Sequence, residues 1–131
     1  MGNRPLTKLI IIDDDPDILQ IAKYSLEDMK GVSIKYCDSG QEGIKEALFF
    51  LPDLILVDVM MPNMDGIAFI KVMRLIPILS KIPVAFLTAK IQKEDLEQYY
   101  AMGIKEVITK PFDPITFPAE IQKLWDKIIQ Q

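Results

Sequence analysis

A run of four aliphatic residues, 54–57, leads directly into the carboxylate of Asp58 and is followed by a turn that contains Pro62, Asn63 and Gly66. A continuous apolar run that ends at a turn is typical of a β-strand buried on both faces. Such strands occur in parallel sheets that are covered by helices on each side. Because Asp is rarely buried without a partner, we expect other polar groups to meet Asp58 at the end of this strand.

Similar strands recur along the chain and alternate with helical patterns. Predicted strands cover residues 8–12, 32–36, 54–58, 82–87 and 104–108. Apolar residues at helical spacing predict five helices, which run from Pro16 to Gly31, from the Ser39 cap to Pro52, from the Asp65 cap to Pro77, through Leu96 to Gly103, and from the Thr116 cap onwards. This alternation predicts an α/β fold, with a doubly wound five-stranded parallel sheet and right-handed crossovers.

Composition excludes several classes of function. The 131 residues fit one domain, which we expect at residues 8–131 after a polar N-terminal lead at residues 1–7. We expect this length to leave no room for a DNA-binding module. The net charge of −4 also argues against nucleic acid as a partner. The chain has no histidine, which excludes histidine-based triads, histidine metal sites and a histidine phosphocarrier.

Cysteine usage and hydropathy favour a cytoplasmic protein. The single Cys37 cannot form an internal disulfide, and a lone thiol suits a reducing compartment. Residues 1–6 contain no apolar segment of the kind that directs secretion. No apolar run approaches the roughly 20 residues that span a bilayer, so we expect no membrane insertion.

Polar residues follow each predicted strand. They are Asp13 and Asp14, Cys37 and Asp38, Asp58, Thr88, and Lys110. In an open parallel sheet, ligands bind beyond the carboxyl ends of the strands. Three carboxylates, one hydroxyl and one ammonium are therefore expected to share one edge of the sheet.

Three neighbouring carboxylates repel one another unless a cation lies between them. Oxygen ligands without histidine suit a hard divalent ion, most naturally Mg²⁺. Lys110 and Thr88 could hold the oxygens of a phosphoryl group, one by charge and one by a hydrogen bond. Asp58 could then act as a nucleophile, so the predicted chemistry is phosphoryl transfer to a carboxylate.

Four motifs at successive strand ends give the chain a specific resemblance. They are Ile-Asp-Asp-Asp-Pro at 12–16, Asp58 followed by Met-Pro-Asn-Met-Asp-Gly at 61–66, Leu-Thr-Ala-Lys at 87–90, and Lys-Pro-Phe at 110–112. Over residues 8–129 the chain resembles the receiver domain of two-component response regulators, close in outline to the single-domain chemotaxis regulators. The resemblance implies a flavodoxin-like strand order, 2-1-3-4-5.

The resemblance also implies roles for the site residues. Asp58 would be the phosphoacceptor, and it would bind Mg²⁺ together with Asp14, the backbone carbonyl of Met60 and, mainly through water, Asp13. Thr88 would move toward the phosphoryl group and Lys110 would pair with it. The bond before Pro111 is expected to be cis.

The implied function is that of a stand-alone signalling module. A histidine kinase or phosphotransfer protein would donate the phosphoryl group, and the receiver would switch conformation to control an unknown downstream protein. The protein would not be an enzyme in the usual sense, because it would catalyse only its own phosphorylation and a slow autodephosphorylation.

Several neighbouring residues have simpler structural explanations. Asp15 precedes a proline and suits a helix N-cap, and Asp17 in the first turn suits the helix dipole. Cys37 and Asp38 follow the second strand, which is an edge strand in the implied order, so both are expected to lie too far away.

The chain departs from the family pattern at one position. Val107 stands where many receivers carry the Tyr or Phe that reports phosphorylation by turning inward. Met60 and Lys90 flank the site at positions where family members tune dephosphorylation.

Two alternative functions remain open from the sequence. A haloacid-dehalogenase-like phosphohydrolase also uses a strand-end Asp with Mg²⁺, Thr and Lys, but this chain lacks a cap domain, and Pro16 replaces the usual turn. A receiver-like module could instead bind partners independently of phosphorylation, although the acid pair, Thr88 and Lys110 argue against that.

Overall fold

The computed structural model describes residues 4–89 and 91–130. Its strands are β1 Lys8–Ile12, β2 Ser33–Cys37, β3 Leu54–Asp58, β4 Val84–Thr88 and β5 Val107–Thr109. Its helices are α1 Pro16–Leu26, α2 Gly40–Phe50, α3 Gly66–Leu75, α4 Lys93–Ala101 and α5 Phe117–Ile129. Among the described residues, we find no helix with the length and apolar character needed to cross a bilayer.

The strands form one parallel sheet in the order β2-β1-β3-β4-β5. The predicted fold class and strand order are therefore confirmed. The central strand β3 is buried along its whole length, whereas the edge strand β2 alternates between exposed and partly buried residues until it ends at the buried Cys37. This burial is the reason why the sequence of β3 is continuously apolar up to Asp58.

The hydrophobic core lies in two layers, one on each face of the sheet. Successive residues of β3 point to opposite faces, with Ile55 and Val57 in one layer and Leu54 and Leu56 in the other. The first layer is covered by α2, α3 and α4, and the second by α1 and α5. This packing fixes the strand ends relative to one another, and so it positions the residues that follow them.

Turns shift several predicted boundaries. Helix α1 ends at Leu26, before the predicted Gly31, because the Met29 N–H turns back to the Leu26 carbonyl at 3.0 Å. Strand β5 begins at Val107 and not at 104, because the Ile104 N–H still bonds to the Tyr99 carbonyl of α4. Strands β2 and β4 begin one and two residues later than predicted.

The helix caps follow the sequence with one exception. The side chains of Asp15, Ser39 and Asp65 accept backbone N–H groups at the starts of α1, α2 and α3. Thr116 occupies the cap position of α5, but its side chain makes no capping bond and its hydroxyl instead lies 3.2 Å from Glu120 Oε1.

The described part of the N-terminal lead is packed against the domain. Leu6 is 4% exposed and belongs to the core. The Asp53 carboxylate accepts the Thr7 N–H and hydroxyl and also bonds to Arg4. The Trp125 indole in turn donates to the Arg4 carbonyl. These contacts tie the segment before β1 to α5 and to the loop before β3, which a polar lead does not suggest.

Candidate functional site

The acidic residues meet at the carboxyl ends of β1 and β3. Pairing of Ile12 with Val57 places Asp13 and Asp58 on neighbouring strand ends. Asp13, Asp14 and Asp58 each offer a carboxylate oxygen within 4.8 Å of the others. Asp13 and Asp58 are buried, at 0% and 3% exposed, whereas Asp14 is exposed. The predicted cluster is therefore present, with one member facing solvent.

Lys110 reaches the same carboxylates from the end of β5. Its Nζ lies 2.9 Å from Asp13 Oδ2 and 3.3 Å from Asp58 Oδ2. Its backbone N–H donates to the Thr88 carbonyl at 2.8 Å, which holds the loop after β5 against the end of β4. The expected cis bond between Lys110 and Pro111 is confirmed.

Burial and charge shift the protonation of this cluster. Burial, and then the negative charge of Asp13, raises the pKa of the Asp58 carboxyl from 3.8 to about 6. Lys110 and the Met60 N–H lower that pKa but offset only part of the increase. Burial on its own would lower the pKa of Lys110, but the hydrogen bond and charge of Asp13, together with Asp58, outweigh it and raise that pKa.

A cleft of about 380 Å³ opens above the carboxylates. It is lined by Asp13, Asp14, Asp15, Pro16, Asp58, Met60, Ala89 and Lys110. The carboxylate oxygens of this lining suit a hard cation as ligands. The ammonium of Lys110 suits an anionic group bound beside that cation. The exposure of Asp14 leaves space for the waters that Mg²⁺ normally retains. The residues present therefore fit the implied ion.

The loop from Asp58 to α3 returns close to the end of β3. The Met60 N–H donates to Asp58 Oδ1 at 3.3 Å, and the Met60 side chain is 75% exposed at the cleft. A Cβ on Gly66 would lie 2.9 Å from both the Asp58 carbonyl oxygen and Val59 Cα. Only glycine therefore allows α3 to begin this close to the end of β3.

Thr88 ends β4 at the same edge of the sheet. Asp58 pairs with Leu87 in the register of β3 and β4, so Thr88 lies one residue beyond that pair. Its side chain is 3% exposed, while the next residue, Ala89, lines the cleft. Lys90 lies outside the described residues.

Cys37 and Asp38 do not join the carboxylate cluster. The Cys37 thiol is buried in the core, and burial raises its pKa to about 12. Its carbonyl has a role that the sequence does not reveal, because it accepts the Asp13 N–H at 3.0 Å. Asp38 is exposed after the edge strand β2.

Asp15 and Asp17 have the structural roles expected of them. The Asp15 side chain accepts the Asp17 N–H at 2.9 Å and caps α1, although Asp15 also lines the cleft. Asp17 lies in the first turn of that helix. Asp13 has a further bond that no pattern in the sequence signals, since its second carboxylate oxygen accepts the Asp15 N–H at 2.9 Å.

Comparisons with known proteins match most of the chain to one family. Residues 9–122 match the family described as response regulator receiver domain. The chain is 32% identical over 117 residues to the alkaline phosphatase synthesis transcriptional regulatory protein PhoP of Bacillus subtilis, covering 89% of this chain and 48% of PhoP. It is 31% identical over 115 residues to an uncharacterized 14.6 kDa protein of Leptolyngbya boryana, covering 88% of this chain and 87% of that protein. The chain thus spans about half the length of PhoP.

A solved structure shows the same architecture. The chemotaxis protein CheY4 of Vibrio cholerae superposes with a TM-score of 0.82 at 28% identity, covering 92% of this chain and 99% of that one. The family match extends from β1 into α5, and so it includes every strand end that contributes to the acidic cleft. The chain therefore belongs to the response regulator receiver family.

Proposed function

We propose that Asp58 accepts a phosphoryl group and that the protein acts as a phosphorylation-dependent switch in a two-component pathway. One observation carries this proposal: a buried carboxylate ends the central strand, within 4.8 Å of two further carboxylates and 3.3 Å from an ammonium. Receiver domains interact with histidine kinases or phosphotransfer proteins, so the donor is a phosphohistidine on such a partner. The proposed location is the cytoplasm, where these donors meet ATP.

Receiver domains bind Mg²⁺ at an acidic pocket, and the cluster of Asp13, Asp14 and Asp58 has that composition. In this chain Asp14 and Asp58 would hold the ion directly, with the Met60 carbonyl as a third protein ligand and Asp13 acting mainly through water. When bound, the ion would neutralise charge on the carboxylates and on the transferring group.

The protein's own side chains account for the transfer. An oxygen of the Asp58 carboxylate attacks phosphorus, the bond from phosphorus to the donor nitrogen breaks, and an acyl phosphate forms. Lys110 already lies beside that carboxylate, so its charge stabilises the oxygens as negative charge develops on them. The Thr88 hydroxyl donates a hydrogen bond to one phosphoryl oxygen.

Phosphorylation then biases the conformation. It adds about −1.5 to −2 charges at Asp58, which gives Lys110 and Thr88 a stronger partner. Thr88 ends β4 and Lys110 directly follows β5, so the loops that lead into α4 and α5 move with them. The result is a population shift between two conformations of the same fold, which a downstream protein distinguishes.

Labelling by a small phosphodonor tests the proposal. Radiolabelled acetyl phosphate with Mg²⁺ should label the wild-type protein and should not label Asp58→Asn. Asp38→Asn is the matched control, because it removes an exposed carboxylate at another strand end, and it should be labelled like wild type. Equal labelling of Asp58→Asn would refute the assignment.

The family match does not favour the phosphohydrolase alternative. Steady turnover of a small phosphomonoester would nevertheless support it over the proposed switch. A phosphorylation-independent binding module predicts partner affinity that does not change with a beryllofluoride mimic, and the proposed switch predicts that it does.

A further inference from the structure

The loop between Asp58 and α3 carries the proposed carbonyl ligand, and its far end is well fixed. The Gly66 N–H donates to the Val59 carbonyl at 2.9 Å, and the Asp65 side chain caps α3. Between these points Asn63 adopts a left-handed φ of 68°. The Met64 N–H closes the turn on the Pro62 carbonyl at 2.8 Å. Backbone bonds therefore hold the turn and the far end of the loop, and side-chain contacts supply its attachment to the rest of the domain.

Met64 provides one of those contacts, because its side chain extends from the loop and packs on Gly40, the first residue of α2. Its side chain is half-buried and packs against the core layer beneath α2 and α3. A Cβ on Gly40 would lie 2.8 Å from both Cγ and Sδ of Met64 and 3.1 Å from its Cβ. The space beside Gly40 is thus filled by the thioether chain of Met64.

The backbone of Gly40 does not itself require glycine. Among the described glycines, left-handed φ values occur at Gly31 and Gly103 and not at Gly40. Gly40 is the first residue of α2, in a helical conformation that alanine also adopts. Its neighbour Met64, and not its own conformation, is what a larger side chain would disturb.

We propose that the contact between Met64 and Gly40 positions the metal-binding loop, which makes Met64 a positioning residue for the Mg²⁺ site. This inference rests on the proposed function, because it assigns the contact to the loop that presents the Met60 carbonyl. The loop leaves the site at Met60 and returns to α3 at Asp65, and Met64 attaches the returning part to α2. A Cβ on Gly40 would press on Cγ and Sδ of Met64 and also on its Cβ, the atom that is joined to the loop backbone.

Calorimetric titration with Mg²⁺ alone tests this role in four variants. Gly40→Ala should bind Mg²⁺ about tenfold more weakly than wild type, which is the lower end of the cost of losing support behind a metal ligand. Met64→Ala should weaken binding in the same direction. The double variant should bind Mg²⁺ no more weakly than whichever single variant has the lower affinity, because both substitutions disrupt the same contact.

Gly31→Ala supplies the matched control for stability. It places a side chain on a residue with left-handed φ, where no atom lies within 4 Å of the new Cβ. Gly31 precedes β2 and so lies at the end of the sheet opposite the acidic cleft. It should lower Tm and leave Mg²⁺ affinity unchanged. A control that loses as much affinity as Gly40→Ala would show that the effect is general destabilisation, and would overturn the proposal.

The remaining outcomes also decide the question. Wild-type affinity in Gly40→Ala, or strictly additive losses in the double variant, would overturn the positioning role. A rise in Tm of Gly40→Ala without loss of affinity would show that Gly40 is an ordinary helix residue. A wild-type protein that neither binds Mg²⁺ nor reacts with acetyl phosphate would instead refute the proposed function itself.

Discussion

At the scale of single residues, Asp58 is a carboxylate held in an unfavourable environment. Burial and the charge of Asp13 together outweigh the attraction of Lys110, so the pKa of Asp58 is raised. An environment that disfavours the charge without a ligand is well suited to a group that becomes stable when a cation or a phosphoryl group arrives. The sequence predicts the grouping of these residues, but it does not predict that Lys110 lies closer to Asp13 than to Asp58.

Asp58→Asn should therefore stabilise the metal-free protein at neutral pH. Because the folded pKa lies above 3.8, the contribution of Asp58 to stability is present at low pH and is lost as pH rises to about 6. The cost of the charge above that range is on the order of 3 kcal/mol. Thermal unfolding with a chelator should show a higher Tm for the variant at pH near 7.5 and little difference near 4. A lower Tm at both pH values would contradict this account.

Asp53→Asn should have the opposite effect. Burial would raise the pKa of Asp53, but hydrogen bonds from Thr7 and Lys8 and the charge of Arg4 outweigh it, so that pKa is lowered. A lowered pKa gives stability that is present above the unfolded value and is lost as pH falls through the folded one. The variant should therefore lose Tm at neutral pH and lose less as the solution becomes acidic. A loss that does not vary with pH would show that the charge of Asp53 contributes nothing.

At the scale of elements, the apolar pattern predicts both bounds of the strands β1 and β3. β1 and β3 begin and end where the sequence predicts, because both are continuously apolar and each ends at a carboxylate. The predicted first residues of β2, β4 and β5 come one to three residues too early. Hydrogen bonds such as that from the Ile104 N–H to α4 decide where strand pairing starts. Such bonds depend on tertiary contact and leave no periodic signal in the sequence.

Helix α4 is weakly attached to the domain. Its cap residue Gln92 makes no side-chain bond, and its buried side chain is Tyr99, which packs edge-on against Phe86 at 5.0 Å. The Tyr100 hydroxyl adds a hydrogen bond to Glu106 Oε1 at 2.8 Å, and the same oxygen accepts the Val107 N–H. This bond connects α4 to the start of β5, beside the position where the family aromatic is absent.

Tyr100→Phe should loosen α4 selectively. The hydroxyl bond contributes on the order of 1 kcal/mol to stability, so the fold should persist while amide hydrogens of α4 exchange faster. Tyr24→Phe is the control, because Tyr24 is 73% exposed on α1. Hydrogen exchange measured by mass spectrometry should separate the two variants. Unchanged exchange across α4 in Tyr100→Phe would show that the bond does not restrain the helix.

At the scale of the whole molecule, the alternation of strands and helices is sufficient to predict a parallel sheet with its polar residues at one edge. The strand order follows only from resemblance to the family, because apolar patterns alone do not specify which strands are neighbours. The packing of Leu6, the hydrogen bond from Asp13 to the Cys37 carbonyl, and the seat of Met64 beside Gly40 could not be predicted. Each of these contacts joins residues that are far apart in sequence and leaves no periodic pattern of apolar residues by which it could be predicted.

Mg²⁺ should stabilise the whole domain, because a ligand that binds only the folded state shifts unfolding by mass action. The expected gain is about 2.7 kcal/mol at a hundred times the dissociation constant. Asp14→Asn should reduce that gain, since it removes the exposed member of the cluster, whereas Asp38→Asn should keep it. Equal Mg²⁺-dependent increases in Tm for all three proteins would place the ion outside the cleft.

The central claim is that the phosphoryl group resides on the carboxylate of Asp58. The protein should be treated with acetyl phosphate and Mg²⁺, reduced with borohydride to trap the acyl phosphate, and mapped by peptide mass spectrometry. We expect the reduced residue to lie at position 58 and to be absent when Mg²⁺ is chelated. Trapping at Asp13, Asp14 or Asp38, or trapping at position 58 that does not depend on Mg²⁺, would contradict this expectation.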